Sequence, residues 1–127
     1  MERLEPEKLA ATCARLLDEK QAEDVEVMNV GGLTSLGDYF LVVTARNPRH
    51  LQALARTIED AVEEIGKEPL GVEGIPESGW ILVDLGDVVV HLFDAERRDL
   101  YRLDLLWGDA EIEEWTEMDS LDVDSPD

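Results

Sequence analysis

Residues 69–94 constrain the fold more than any other part of the chain. Trp80 opens an apolar run that ends at Val83, Asp84-Leu85-Gly86-Asp87 reverses the chain, and a second run follows from Val88 to Phe93. Both runs are rich in β-branched residues, which suit a pleated surface. The link holds a glycine between acids, the chemistry a tight reversal needs. The spacing predicts two adjacent strands joined as a hairpin.

Elsewhere the punctuation is clear. Glu5-Pro6-Glu7 reads as a helix start, with proline near the first helical position and acids facing the positive end of the dipole; Leu9, Cys13, Leu16 and Leu17 follow on one face. Residues 25–30 alternate as a strand stopped by Gly31-Gly32. Residues 39–44 are apolar enough for a central strand buried on both faces. Asn47-Pro48 supplies a cap and a first-turn proline, and Gly66 sits where a helix ends, so residues 48–65 form the best-defined helix, with Leu51, Leu54, Ala55, Ile58, Val62 and Ile65 as its buried stripe. A short extended segment at 70–72 precedes the loop 73–79. Asp94 caps a last helical piece at 95–99. Helices interleaved with a partly hairpin-connected sheet imply an α+β, or mixed α/β, single domain, with about five strands flanked by helices.

The chain of 127 residues carries a net charge of −20. Nine of its 31 acids lie after Trp107, where there is no Lys or Arg, and residues 1–107 hold 22 acids against 11 bases. Such a surface repels phosphate, which argues against DNA or RNA as the main point of attachment and favours a basic partner. A salt-adapted surface has the same composition, so charge alone names no partner. No stretch is long and apolar enough for a membrane span, and the first residues lack signal or transit character. The chain therefore reads as soluble and cytoplasmic. Cys13, the single cysteine, permits no intrachain disulfide and suits a buried helix stripe.

Catalytic signals are sparse. Two histidines and one cysteine, dispersed, make no metal quartet. Gly71 and Gly74 are too close for a Walker loop, which would also need a lysine, and no Ser-His-Asp order or dinucleotide fingerprint is present. Arg97, Arg98 and Arg102 form the one basic cluster, neutralised by Asp94, Glu96 and Asp99, and read as a solvated helix face. His91, on the same side as Val89 and Phe93, reads as a hydrogen-bonded structural histidine whose expected edge position also suits binding.

Several blocks of the chain resemble one family. Gly71-Val72-Glu73-Gly74, Trp80 and Asp84-Leu85-Gly86-Asp87-Val88-Val89-Val90-His91 look like the signature of the ribosomal silencing factor family, also called the Iojap family. The likeness extends to Ala22-Glu23-Asp24, Gly32-Leu33-Thr34-Ser35, Asp38-Tyr39-Phe40, Arg49-His50, Tyr101 and Leu106-Trp107-Gly108, and so spans residues 9–109. The resemblance implies a mixed sheet of nucleotidyltransferase-like topology. Transferases of that topology hold two metal ions on an Asp-x-Asp pair after a glycine turn. Here the second position of the pair is Phe40, which cannot ligate a hard cation, and Asp84 is left as the one acid that could approach Asp38. No enzyme activity, metal or cofactor is expected.

The resemblance further implies a partner, the large ribosomal subunit, held through its ribosomal protein fourteen on the face that meets the small subunit. Binding there would block subunit joining under nutrient limitation. The free protein is a candidate homodimer. The alternatives are a large-subunit assembly factor or scaffold and a metal-dependent nucleotidyltransferase. The expected contact set is Glu73, Trp80, Asp84, Leu85, Asp87, His91, Tyr101 and Trp107, aromatic or apolar anchors rimmed by charge. Residues 1–107 are expected to form the family domain and residues 108–127 a flexible acidic tail, dispensable for fold and binding. Ile112, Trp115 and Met118 are spaced to share one face of a short helix within it.

Overall fold

The computed structural model describes residues 5–118. Helix α1 spans Pro6–Glu19, strand β1 Glu23–Asn29, strand β2 Tyr39–Ala45 and helix α2 Pro48–Glu64. Strand β3 (Gly71–Glu73), a 3₁₀ turn at Pro76–Ser78, strands β4 (Trp80–Asp84) and β5 (Val88–Asp94), and helices α3 (Ala95–Tyr101) and α4 (Leu103–Leu106) follow. Strand β6 (Glu111–Glu113) and a second 3₁₀ turn at Trp115–Glu117 complete the order.

The six strands form one mixed sheet in the order β3-β4-β5-β2-β1-β6. Strand β4 pairs antiparallel with β5 through the expected hairpin, Trp80 opposite Phe93 and Asp84 opposite Val89. Strands β2 and β5 run parallel at the centre, and a parallel pair needs a long connection, which α2 begins. Every residue of β2 except Tyr39 is buried, the two-sided burial its apolar run predicts. Helix α2 starts as read: Asn47 Oδ1 accepts a hydrogen bond from His50 N at 2.8 Å, and Pro48 occupies the first turn. Gly66, with φ of +81°, ends it in the left-handed conformation that glycine adopts without strain.

The sheet buries both faces. Leu9, Cys13 and Leu17 of α1 and Leu51, Leu54, Ile58 and Val62 of α2 cover one face, packing on Val27, Leu41, Val43, Ile81, Val83, Val90 and Leu92. Each such aliphatic group contributes roughly 2 kcal/mol by leaving water. Burial pushes the Cys13 thiol up to about 12, so it is an inert hydrophobe at neutral pH. The other face carries a smaller cluster, Met28, Val30, Phe40, Val42, Val89 and Phe93, against which Trp80, Leu82, Leu103 and Trp107 pack. No described helix is long and apolar enough to cross a membrane.

Two expectations need correction. The boundary after residue 107 is not where the fold ends: β6 joins β1 antiparallel, Ile112 opposite Met28, and Trp115 Nε1 donates to Val25 O at 3.3 Å. Ile112 and Trp115 therefore lie on a strand and a 3₁₀ turn, not on one helix; pairing with an open sheet edge overrides the helical spacing. Residues 119–127, the rest of the expected tail, lie outside the described residues. Arg98 is not on a solvated face either. Its Nη1 donates to Asp24 O and, at 3.0 Å, to Thr44 Oγ1, while Nη2 lies 3.8 Å from Glu26, tying α3 to β1 and β2. A register shift between Glu23 and Glu26, with Asp24 at φ +49°, makes that carbonyl available.

Candidate partner-binding face

Alternation along β4 sets the site. Ile81 and Val83 point into the helix-covered core, so Trp80, Leu82 and Asp84 fall on the opposite face, each only half-buried. Register carries this face across the sheet. Leu82 stands opposite Glu73 on one side and His91 on the other, and His91 opposite Val42. Directly paired residues share a face, so Glu73, Trp80, Asp84 and His91 project from the same side of the sheet.

Two glycines hold the Trp80 end in place. A Cβ on Gly74 would overlap Trp80 O, and one on Gly79 would overlap the Asp94 carboxylate; both residues have positive φ, +95° and +77°. Only glycine lets the 73–79 loop fold this tightly against β4. Ser78 Oγ donates to Ile75 O at 2.7 Å and lies 3.0 Å from Trp80 O, pinning the same loop.

An aromatic row crosses the face. Tyr101 and Trp80 have ring centroids 4.7 Å apart, Trp80 and Phe93 5.0 Å, His91 and Phe40 4.9 Å, and Phe40 and Trp107 5.9 Å. The helices after β5 deliver its two ends. Asp94 Oδ1 accepts from Arg97 N at 2.7 Å and starts α3 over the sheet, bringing Tyr101 to Trp80. Arg102, at φ +43°, then redirects the chain into α4, and Trp107 follows onto Phe40.

The structure thus brings six of the eight expected residues to one face, Glu73, Trp80, Asp84, His91, Tyr101 and Trp107. Leu85 and Asp87 sit in the hairpin turn instead. Leu85 packs against the helix-covered core, and Asp87 O accepts from Asp38 N at 2.7 Å and Tyr39 N at 3.0 Å. Asp84 also serves the turn, its Oδ1 accepting from Gly86 N at 2.8 Å. His91 is not at an edge: β5 lies inside the sheet, and the residue is 5% exposed. Among the described residues neither ring nitrogen has a hydrogen-bond partner, nor does buried Trp80 Nε1. Burial pushes the His91 imidazole down to about 4, so it is neutral at physiological pH.

Sequence reasoning missed Leu82 and Phe40 as parts of this face, although period-two alternation from Trp80 reaches Leu82; Phe93 it had placed on the side of His91. It also missed Leu100 and Leu105, large apolar residues exposed near Tyr101 and Trp107, for which no pattern gave a signal, and it quoted Leu106 only as part of the family resemblance, not as part of the face. Glu73 and Tyr101 are exposed, and Glu73 makes no ion pair among the described residues. The face offers aromatic surface, an acidic rim and no nucleophile–base pair. Among the described residues no three His, Cys, Asp or Glu side chains are grouped to hold a metal ion. His50 is structural, its Nδ1 accepting from Arg46 N at 3.0 Å and its Nε2 lying 2.8 Å from Lys20 O. Phe40 is buried in the smaller core cluster.

Comparison with known proteins adds independent findings. A family model described as "ribosomal silencing factor during starvation" matches residues 3–127. The ribosomal silencing factor RsfS of Bacillus subtilis is 43% identical over 103 residues, covering 81% of this chain and 84% of that protein. A mouse protein named for mitochondrial assembly of the ribosomal large subunit is 30% identical over 95 residues, 72% of this chain and 42% of its own length. Among solved structures, a crystal structure of a Chromobacterium violaceum protein superposes with a TM-score of 0.78 at 32% identity, covering 83% of this chain and 88% of that one.

Proposed function

We propose that this protein silences ribosomes: the chain belongs to the ribosomal silencing factor family, and the aromatic face around Trp80 is the surface we assign to its partner. On this reading it binds the large ribosomal subunit in the cytoplasm through the subunit's ribosomal protein fourteen, at the face that meets the small subunit. Its bulk there keeps the subunits apart when nutrients are scarce. Steric exclusion requires no covalent chemistry, in keeping with a face built from aromatic rings and carboxylates.

The observation that carries the assignment is the row Tyr101–Trp80–His91–Phe40–Trp107, open at Tyr101, Trp80 and Trp107, buried at His91 and Phe40, and rimmed by Glu73 and Asp84. Aromatic anchors amid charge are the usual makeup of a protein interface, and acids on a chain of net charge −20 suit a basic ribosomal protein. A second reading, assembly factor for the large subunit, is favoured by the name of the mouse relative. Both require large-subunit binding and differ in whether joining is blocked. Co-sedimentation with isolated large subunits, together with capture of purified ribosomal protein fourteen, tests the shared step. Failure of the protein to migrate with the subunit would remove both readings.

A further inference from the structure

We infer that the groove beside the packed rings of Trp80 and Tyr101 is an arginine-binding subsite, the place where a basic partner lays one guanidinium against the aromatic pair; the inference rests on the partner-face reading above. The groove, about 330 Å³, is lined by Glu73, Gly74, Ser78, Trp80, Leu82 and Tyr101. Its walls are aromatic: the two rings lie 4.7 Å apart at a tilt of 42°, and Tyr101 is 46% exposed. Its one charged lining residue is an acid, Glu73, exposed and without an ion pair among the described residues. No basic side chain lines it.

That combination selects a cation with a flat body. Aromatic faces attract cations through their quadrupole, and a guanidinium can stack on a ring while its edge forks onto a carboxylate, which an ammonium cannot do. On α3, Arg97 pairs with acids of its own helix start, 3.0 Å from Glu96 and 3.9 Å from Asp94, and is not among the groove's lining residues. The pocket at the start of α1 is acidic too but holds one aromatic residue, Tyr39, and no aromatic pair. The one beside Arg98 holds bases as well as acids, and the one between α2 and β3 contains Arg56.

The test uses the full chain and two small probes, N-acetyl-arginine methylamide and its neutral citrulline isostere, titrated while the indole N–H signals are followed by NMR. The arginine probe should shift the Trp80 signal saturably, and the citrulline probe should not. Glu73→Gln, a surface change that leaves the fold intact, should weaken the arginine probe about two- to fivefold. Equal response to both probes, or shifts confined to Trp107 and Trp115, would overturn the assignment. Large-subunit co-sedimentation is scored in parallel. Retained co-sedimentation without arginine discrimination rejects the subsite and leaves the silencing role standing; discrimination without co-sedimentation rejects the role and leaves the subsite.

Discussion

The rings of Trp80 and Tyr101 lie 4.7 Å apart, so a strand residue and the last residue of helix α3 make one surface. The two contribute differently. Trp80 is half-buried, packing on Phe93 and the small cluster, whereas Tyr101 leans on it from the exposed side.

Substitution should separate these contributions. Tyr101→Ala should lower stability by only about 1 kcal/mol yet weaken binding to the large subunit by about 1–2 kcal/mol. Trp80→Ala should do both, costing about 2–3 kcal/mol of folding energy in addition to its binding loss. Thermal melts alongside binding titrations check this. Normal binding by the folded fraction of both variants would show that the aromatic pair is core alone.

His91 should make stability depend on acid. Its folded imidazole titrates at about 4, below the ordinary 6.5, because burial penalises the charged form. Below 6.5 the unfolded chain therefore binds the proton that the folded chain refuses. The stabilisation is fully present above 6.5 and falls progressively toward 4, by about 3 kcal/mol in all. Measured from pH 7 to pH 4, the melting curve of His91→Leu should be flatter than that of the parent. At pH 7 the variant should lose no stability, since it removes two unpaired buried nitrogens. Parallel pH curves would show that His91 is already solvated or paired.

Much of this architecture is legible in the sequence because its signals are local. The Asn47 cap, Pro48 and Gly66 bracket α2 within a few residues, and the Asp84–Asp87 link encodes its hairpin. The central position of β2 shows in its unbroken apolar run. What escaped is non-local. Glu111-Ile112-Glu113 is too short and too acidic to read as a strand, and becomes one only because β1 offers an open edge. The task of Arg98 depends on a bulge far away in sequence. The edge position expected for His91 failed because strand order is set by the parallel β2–β5 pairing, which no residue of the hairpin reveals. The shared side of His91, Val89 and Phe93 followed from alternation; that Trp80 joins them needed the hairpin register, and the arrival of Trp107 needed the turn at Arg102.

The sixth strand and the turn after it make residues 111–117 part of the folded unit. Ending the chain at Asp109 removes β6 and withdraws the Trp115 indole from Val25 O. A loss of about 2 kcal/mol is expected, seen as a melting temperature lower by roughly 5–15 °C. An unchanged melt would return this segment to the status of a dispensable tail.

Charge at the face should act locally. Glu73→Lys should reduce binding to ribosomal protein fourteen more than Glu19→Lys or Glu63→Lys on the helices, and the parent's association rate should fall as salt rises. Asp84 is the poorer probe, because reversal there also removes the acceptor for Gly86 N. Equal effects of the three glutamate reversals, measured by association kinetics, would mean that only total charge matters.

The silencing role itself is tested most directly by subunit joining. Purified small and large subunits are mixed under joining conditions with the parent protein or with Tyr101→Ala, and resolved on a sucrose gradient. The account predicts that the parent migrates with the large subunit and depletes the joined-ribosome peak, and that Tyr101→Ala needs several-fold more protein for the same depletion. A full joined-ribosome peak with the parent protein bound to its large subunits would contradict it.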